Sequence, residues 1–410
     1  MATNPRPVSL GSMALGVNNR LEQSRLGKTL PDRSPATYLS AADNVDITAD
    51  GFVKRRRGTA LEATGRAHSL WSDGGEGFVV LDGNLTRLSD AGGSLARNVV
   101  SGSMPHLPIS YSRGADGAVY WSNGLNLRRV VQGVDRPVVT PPPQDPAPGD
   151  IAVSAAGALR PGLYLIAFTA ISEDGESPAT PVVQLDVPEN GKITLASAHH
   201  VYLSGPDGDV LTYQGFTSEV YTHNENGRQC ATLNTRPLPP GTIVRHFKGV
   251  MLTVVSNVLL FSKPYHYGVY DPSAGYIAFA EAITVVEPTD RGLYLCAEKT
   301  WLLPDLVGSP LQDLLPYGGI AGSGGRAPDS ETVFWNTPRG LVVAGPDGSV
   351  RNVQEDALRF SAAASGATLY REQDGMAQVV ATRFGAEPSM GVARSFMDAE
   401  IVRKGTQNEL

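Results

Sequence analysis

Short apolar runs alternate with polar turn sequences along most of the chain. Gly77–Leu81 and residues 85–88 are two such runs, separated by Asp82-Gly83. Asp-Gly tolerates the positive φ angles of tight hairpin turns, and an apolar residue soon after it restarts a strand. The order Asp-Gly, one further residue, apolar residue occurs six times, starting at Asp50, Asp82, Asp116, Asp207, Asp347 and Asp374. The pattern predicts many short antiparallel hairpins.

A second recurrence concerns aromatic residues at strand ends. Trp71-Ser72, Trp121-Ser122 and Trp335-Asn336 each close an apolar run and are followed by glycine within a few residues. An aromatic residue before a polar turn, repeated between hairpins, is typical of propeller blades. The Asp-Gly spacing is regular up to Asp116 and then breaks until Asp207, which indicates an insertion.

Composition locates this insertion. Residues 137–148 contain six prolines, which predicts a stiff linker. The strand-rich segment that follows has the size of a small β-sandwich. The predicted fold is therefore all-β: a β-propeller-like platform with an inserted immunoglobulin- or fibronectin-like β-sandwich. The predicted regions are an irregular N-terminal arm (1–33), the first part of the propeller-like domain (34–136), the proline-rich linker (137–150), the inserted sandwich (151–240), the second propeller-like part (241–386) and a C-terminal tail without strands (387–410).

Two short helices are also expected. Ser34-Pro35 can begin one that runs to Ala42, because proline is favoured in the first turn. The other lies within residues 303–315.

Charge and composition limit the function classes. Charged residues make up 18% of the chain and hydrophobic residues 41%, which fits a β-rich protein that buries surface against partners and does not fit disorder. The net charge of -7 argues against a generic nucleic-acid binder, although DNA can slide past an acidic wall. The sequence shows neither a signal peptide at its start nor an apolar run of membrane-spanning length. Synthesis in a cytosol is expected.

Familiar catalytic patterns are incomplete. Gly27-Lys28-Thr29 ends like a phosphate-binding loop, but Glu22 occupies the position that needs glycine. Gly322-Ser323-Gly324 resembles a nucleophile elbow, but Ala321 stands where another glycine is required. The histidines lack the spacing of zinc ligands. We therefore predict no catalytic, cofactor-binding or metal-binding residues, and no enzyme.

One dense basic cluster stands out, formed by Lys54, Arg55, Arg56 and Arg57. These side chains can contact DNA phosphates or an acidic neighbouring subunit. Equally, they can protect an exposed edge strand from incorrect pairing.

Aromatic residues concentrate at Tyr265, Tyr267 and Tyr270. Packing in a protein–protein contact is the favoured interpretation, because aromatic residues are enriched at interfaces. Stacking on a sugar or a nucleobase is the alternative.

The opening of the chain carries a family resemblance. Three motifs carry it, in this order: Gly16-Val17-Asn18-Asn19-Arg20-Leu21, the Asn-Val-Asp of residues 44–46, and Asp50-Gly51 leading into the arginine cluster and Gly58. Together they resemble the opening of the tail hub or nozzle proteins of short-tailed bacteriophages, including the packaged-DNA stabilisation proteins. The segment 162–181, with its Gly-Glu-Ser-Pro turn, is similar to an insertion common in them.

This resemblance implies a structural virion protein of the tail, synthesised in the host cytoplasm. It implies a homo-oligomeric ring, a hexamer, around the DNA channel below the portal and adaptor. Such a ring contacts tail fibre or needle proteins, touches phage DNA transiently, retains packaged DNA and guides its ejection. A receptor- or carbohydrate-binding tail propeller, with or without cleaving activity, is the alternative. A host scaffolding or secreted β-protein is a third hypothesis.

Overall fold

The computed structural model describes residues 12–48, 50–56, 59–92, 94–147, 149–328, 331–373, 376–385 and, as backbone, 399–404. The chain forms two compact units: the first combines the residues up to 106 with those from 283 onward, and the second is Leu107–Ala282. The predicted all-β, propeller-like fold is confirmed, since antiparallel sheets of four or five strands dominate both units. Among the described residues, no helix is long and apolar enough to cross a membrane.

The first unit begins with two small ribbons. A single 3₁₀ turn, Gln23–Arg25, precedes β1 (Gly27–Thr29) and β2 (Pro35–Thr37), which pair. The helix expected at residues 34–42 is wrong. The Asp32 carboxylate accepts hydrogen bonds from the Ser34 amide (2.9 Å) and hydroxyl (2.6 Å), which closes a turn that leads directly into β2. A second ribbon pairs β3 (Val45–Ile47) with β4 (Val53–Arg55).

The first large sheet is an antiparallel meander. It contains β5 (Thr59–Ser72), β6 (Gly77–Leu81), β7 (Asn84–Asp90) and β8 (Leu95–Ser101). Asp82 and Gly83 join β6 to β7 with φ angles of 48° and 77°, the pair of positive values that a two-residue type I′ hairpin requires.

The second unit starts with a four-stranded meander. Its strands are β9 (Ser110–Arg113), β10 (Val119–Ser122), β11 (Leu127–Val131) and β12 (Val134–Pro137). Trp121, next to the last residue of the buried strand β10, has a nearly inaccessible side chain.

A differently organised module follows. Its strands are β13 (Ile151–Leu159), β14 (Gly162–Thr169), β15 (Ile171–Ser172), β16 (Gly175–Glu176), β17 (Val183–Val187), β18 (Gly191–Leu203) and β19 (Thr212–Val220). The long strand β18 pairs with β13 through its first half, with β14 through its second half and with β19 along both. Tyr164, Ile166 and Val201 are fully buried in a core that belongs to this module alone.

The sheet after this module adjoins the sheet before it. β20 (Arg236–Pro237) pairs with β24 (Val269–Tyr270), whereas β21 (Ile243–Phe247), β22 (Val250–Val255), β23 (Val258–Phe261) and β25 (Tyr276–Ala278) form a four-stranded sheet. The Ser122 hydroxyl donates to the Gly241 carbonyl (2.6 Å), and the Ser112 hydroxyl accepts from the His246 amide (2.8 Å). The module therefore interrupts the sequence between two sheets that still contact each other.

The chain then returns to the first unit with two further four-stranded sheets. Their strands are β26 (Val285–Thr289), β27 (Gly292–Cys296), β28 (Thr300–Leu303) and β29 (Gln312–Leu315), then β30 (Gly325–Arg326), β31 (Val333–Thr337), β32 (Gly340–Ala344) and β33 (Val350–Asn352). The helix expected within residues 303–315 is wrong, because β29 pairs with β28 and places Leu314 and Leu315 against the core around Trp335.

Two long strands and one short strand follow. β34 (Ala363–Gln373) and β35 (Met376–Gly385) form a hairpin, and β36 (Ala399–Lys404) pairs antiparallel with β5. The expectation of a tail without strands is thus wrong at β36, since β5 offers a free edge long enough to accept a further strand.

The Asp-Gly prediction is confirmed for the five copies that the structure describes. The copies at Asp50, Asp82, Asp116, Asp207 and Asp347 each lie between two strands that pair antiparallel. The copy at Asp374 lies outside the described residues.

Candidate functional site

A polar cavity is found in each unit, within the part of the chain that the structure describes. The "basic pocket" of the first unit is formed around Asp46, Arg56, Arg371 and Gln378. The "aromatic pocket" of the second unit is formed around Asp116, Arg129, Asp174, Tyr265 and Tyr267.

The predicted basic cluster is carried by the β3–β4 ribbon. Lys54 and Arg55 lie on β4, Arg56 follows it, and all three are exposed. Lys54 pairs across the ribbon with Asp46, which puts these two side chains on one face, whereas Arg55 faces the other side with Val45. Arg57 lies outside the described residues.

Two arginines share one carboxylate in the basic pocket. The Asp46 Oδ1 atom lies 3.8 Å from Arg56 Nε and 3.7 Å from Arg371 Nη2. Arg371 also donates to Gln378 Oε1 from Nε (2.8 Å) and from Nη2 (2.5 Å). Among the described residues that line this cavity of about 430 Å³, positive charges thus outnumber negative ones. Guanidinium groups bind carboxylates and phosphates in fork-like geometry, so an external anion fits this pocket.

The residues that carry the family resemblance have partners within the protein. Asn18 Oδ1 accepts from the amides of Arg20 (3.0 Å) and Leu21 (3.1 Å). Asn19 donates to the Arg359 carbonyl (3.0 Å) and accepts from the Arg359 amide (2.7 Å). The Asn18 contacts shape the N-terminal segment itself, and the Asn19 contacts fasten that segment to the loop that follows β33.

The three predicted aromatic residues have different surroundings. Tyr267 is buried and packs edge-on against Tyr120 (ring centroids 5.6 Å apart) and His246 (5.5 Å). Tyr270, on β24, is half-buried against the same core. Tyr265 alone of the three is exposed, with 78% of its surface accessible. The structure therefore brings them near one another but offers one ring to an external partner.

Two carboxylates share one arginine in the aromatic pocket. Arg129 Nη2 donates to Asp174 Oδ1 (3.1 Å), and Arg129 Nη1 lies 3.5 Å from Asp116 Oδ2. The Tyr120 hydroxyl donates to the same Asp116 oxygen (2.8 Å). Burial raises the pKa of Tyr120, and the bond to Asp116 raises it further, so the phenol remains a donor. Burial alone lowers the pKa of Arg129, but its bonds to Asp174 and Tyr120 outweigh burial and raise it.

Both carboxylates immediately precede a turn glycine. Gly117 has a φ of 79° and Gly175 a φ of 96°. The sequence pattern included Asp116 as a turn residue but passed over Asp174, because polar Ser177 stands where the pattern demands an apolar residue. The Asp-Gly dipeptide alone is the signal that would have found Asp174. No local signal pairs either carboxylate with Arg129.

Comparison with known proteins adds little to this geometry. No family model and no curated protein matches the sequence. Among solved structures, the chain is similar to the extracellular domain of the hybrid two-component system BT4673 of B. thetaiotaomicron, with a TM-score of 0.34 and 10% identity over 84% of this chain and 43% of that one. It is also similar to apo AztD from Citrobacter koseri, with a TM-score of 0.27 and 14% identity over 71% of this chain and 88% of that one.

A third similar structure is PorZ, a surface component of the type-IX secretion system of Porphyromonas gingivalis. The TM-score is 0.23 and the identity 12%, over 74% of this chain and 40% of that one. The chain thus spans less than half the length of the BT4673 and PorZ structures. Likeness at these TM-scores carries no argument about function, and the fold assignment rests on the strand pairing.

Proposed function

We propose that this chain is a structural protein of a bacteriophage tail, of the nozzle or hub type. In this proposal it forms a homo-oligomeric ring around the DNA channel below the portal and adaptor, retains packaged DNA and guides its ejection. The observation that carries the proposal is the opening motif, from Gly16-Val17-Asn18-Asn19 to the Asp50-Gly51 turn and the arginines that follow it.

The internal contacts of this motif support an architectural role. Asn18 and Asn19 bond to backbone groups within the first unit and so leave little of their side chains for a ligand. Gly51 has a φ of 79°, and a Cβ atom there would lie 1.8 Å from Ser12 Oγ and 2.9 Å from the Ala14 amide. Only glycine fits such a position. These contacts support a structural role for the motif, in which it attaches the N-terminal segment to the sheets of the first unit.

The exposed edge of the first sheet supports lateral association. β8 ends the sheet order β36-β5-β6-β7-β8, and its centre exposes Arg97, Asn98 and Val99. Val99 is 66% exposed. An edge strand with an accessible apolar side chain is a template for pairing with another chain. A ring built of copies of one chain needs such a self-associating surface on every copy.

The basic pocket supports contact with an anionic partner. Its two arginines have one carboxylate between them, and Lys54 and Arg55 lie exposed on the ribbon beside them. An acidic side chain of a neighbouring subunit and a DNA phosphate both satisfy this chemistry.

Native mass spectrometry of the purified full chain, with negative-stain microscopy, tests the ring. We expect one dominant closed oligomer, a hexamer if the family resemblance extends to copy number. Val99→Lys should shift the population toward monomer, because an edge lysine opposes strand pairing. Val307→Lys is the matched control, since Val307 is also exposed (77%) but lies outside the strands. A monomer at every concentration tested would contradict the proposal.

A further inference from the structure

We infer that the aromatic pocket of the second unit is a binding site for a neutral, polyhydroxylated ligand, namely one sugar unit of a polysaccharide. This inference stands independently of the ring proposal, because it uses no residue of the first unit.

An exposed aromatic ring forms the rim of the site. Tyr265 has a φ of 59°, a left-handed conformation that is unusual for a bulky residue. Its amide donates to the Gly249 carbonyl (2.8 Å), and its ring lies against Gly249, where an added Cβ would come within 3.1 Å of Cζ. The backbone thus holds the ring outside the core. Strained residues of this kind persist where the surroundings enforce them, and they cluster at ligand sites.

The polar groups of the cavity are fixed and of both hydrogen-bonding kinds. Asp116 and Asp174 provide acceptor oxygens, each with more lone pairs than the bonds described above use. The Nε atom of Arg129 is buried and has no hydrogen-bond partner within the described residues. Arg129 lines the cavity, so its guanidinium is the charged donor group of the site.

The charge balance of the cavity selects the ligand class. An anion would meet the carboxylates of Asp116, Glu173, Asp174 and Glu176, which line the cavity. The same four carboxylates already have cationic partners within the protein: Glu173 pairs with Arg136, Glu176 with Arg228, and Asp116 and Asp174 share Arg129, so an external cation would compete with these arginines. A neutral polyol avoids both conflicts, because its hydroxyl groups donate to carboxylates and accept from arginine. The apolar face of a sugar ring can lie on Tyr265.

The size of the cavity sets the number of units that enter. Its volume is about 240 Å³, less than the roughly 300–1,000 Å³ typical of pockets for drug-sized ligands. One sugar unit therefore occupies the cavity, and the neighbouring units of the polymer extend outward past Tyr265. A nucleic acid is disfavoured, because its phosphates would approach the same carboxylates.

Affinity electrophoresis of the full chain tests this inference, in gels that contain dextran, galactomannan, mixed-linkage β-glucan or arabinoxylan. We expect retardation by at least one of these neutral polysaccharides. Tyr265→Asn should weaken the apparent affinity about tenfold or more, because it removes the ring, and asparagine tolerates the left-handed backbone. Tyr265→Phe should bind like the parent chain, because it keeps the ring.

Tyr276→Asn is the matched control, since Tyr276 is a half-exposed tyrosine of the same unit outside the cavity. Its binding should be unchanged. The inference is overturned if none of the four polysaccharides retards the chain, if Tyr265→Asn migrates like the parent, or if Tyr276→Asn loses binding equally. Tyr265-dependent binding of single-stranded DNA in place of polysaccharide would also overturn the assignment to sugar.

Discussion

The basic pocket and the aromatic pocket have opposite charge arrangements. In the first, Arg56 and Arg371 flank the single carboxylate of Asp46 at 3.8 and 3.7 Å. In the second, Asp116 and Asp174 flank the single guanidinium of Arg129, which is only 16% exposed. The first network is open and short of negative charge, whereas the second is tighter and more enclosed. The difference indicates an external anion for one and an uncharged ligand for the other.

Removing the shared residue of the enclosed network should have the largest effect. Arg129→Met leaves Asp116 and Asp174 without their cation, and we expect a loss of about 2–3 kcal/mol in the free energy of unfolding. Urea denaturation of the full chain measures the loss, and hydrogen exchange assigns it to β10, β11 and the β15–β16 turn.

Arg371→Met is the control in the open network, because Asp46 keeps Arg56 nearby. We expect a loss below about 1 kcal/mol. Equal losses in the two variants would remove the distinction between the pockets.

Two Asp-Gly turns, one in each unit, provide a second test. Gly51 and Gly117 share a φ of 79°, but a Cβ on Gly51 would collide with Ser12, whereas a Cβ on Gly117 meets nothing within 4 Å. Gly117→Ala should therefore cost about 1 kcal/mol of conformational strain, and Gly51→Ala about 2 kcal/mol or more. Denaturation midpoints of the two variants compare the costs. A Gly51→Ala chain as stable as Gly117→Ala would argue against the tight fastening of the N-terminal segment.

Acidification should weaken the second unit. Burial lowers the pKa of His246, against the opposing effect of Asp116, and burial likewise lowers the pKa of His200, against Glu176. The unfolded chain therefore binds protons first as the pH falls through about 6.5, and each histidine can remove at most about 1.4 kcal/mol per pH unit below that value.

Urea denaturation near pH 7.5 and pH 5.5, read by hydrogen exchange in β18 and β21, measures this loss. The first unit should respond in the same direction through His68, whose pKa burial also lowers. His246→Gln should reduce the pH dependence of the second unit. An unchanged slope would show that His246 is not the responsible group.

The smallest effect on stability is expected at the exposed ribbon. Lys54→Gln and Arg55→Gln remove exposed charges, so the free energy of unfolding should change by no more than about 0.5 kcal/mol. Elution from heparin, a polyanion, should nevertheless move to lower salt. A chain with fewer cations displaces fewer counterions when it binds the polyanion, so its binding is weaker. Retention equal to that of the parent would argue that the ribbon does not meet an anionic partner.

Local sequence patterns correctly predicted the features that neighbouring residues determine, such as hairpin turns. Asp82-Gly83 specifies its hairpin through positive φ angles, and the proline-rich stretch marks the start of the inserted module. Local patterns failed where pairing with another strand determines the structure. At β2, a proline at the start of a strand resembled the start of a helix. They also failed at β36, which pairs with β5 from the opposite end of the chain.

Local patterns could not predict the two pockets either, because residues far apart in the sequence form them. Asp46 meets Arg371, and Arg129 meets Asp174, across long stretches of sequence, and in each pair the partners belong to different sheets. The basic cluster was visible as a run of charges, but its partners were not. Tyr265, Tyr267 and Tyr270 were visible as a group, but no local pattern distinguishes the exposed ring of Tyr265 from the packed rings of Tyr267 and Tyr270.

The most direct test of the proposed tail role uses phage particles purified from the biological source of this chain. Peptide mass analysis should find the chain in the particles, and immunogold labelling should place it at the tail. Presence of the chain in the infected-cell lysate together with its absence from intact, DNA-filled particles would contradict the proposal.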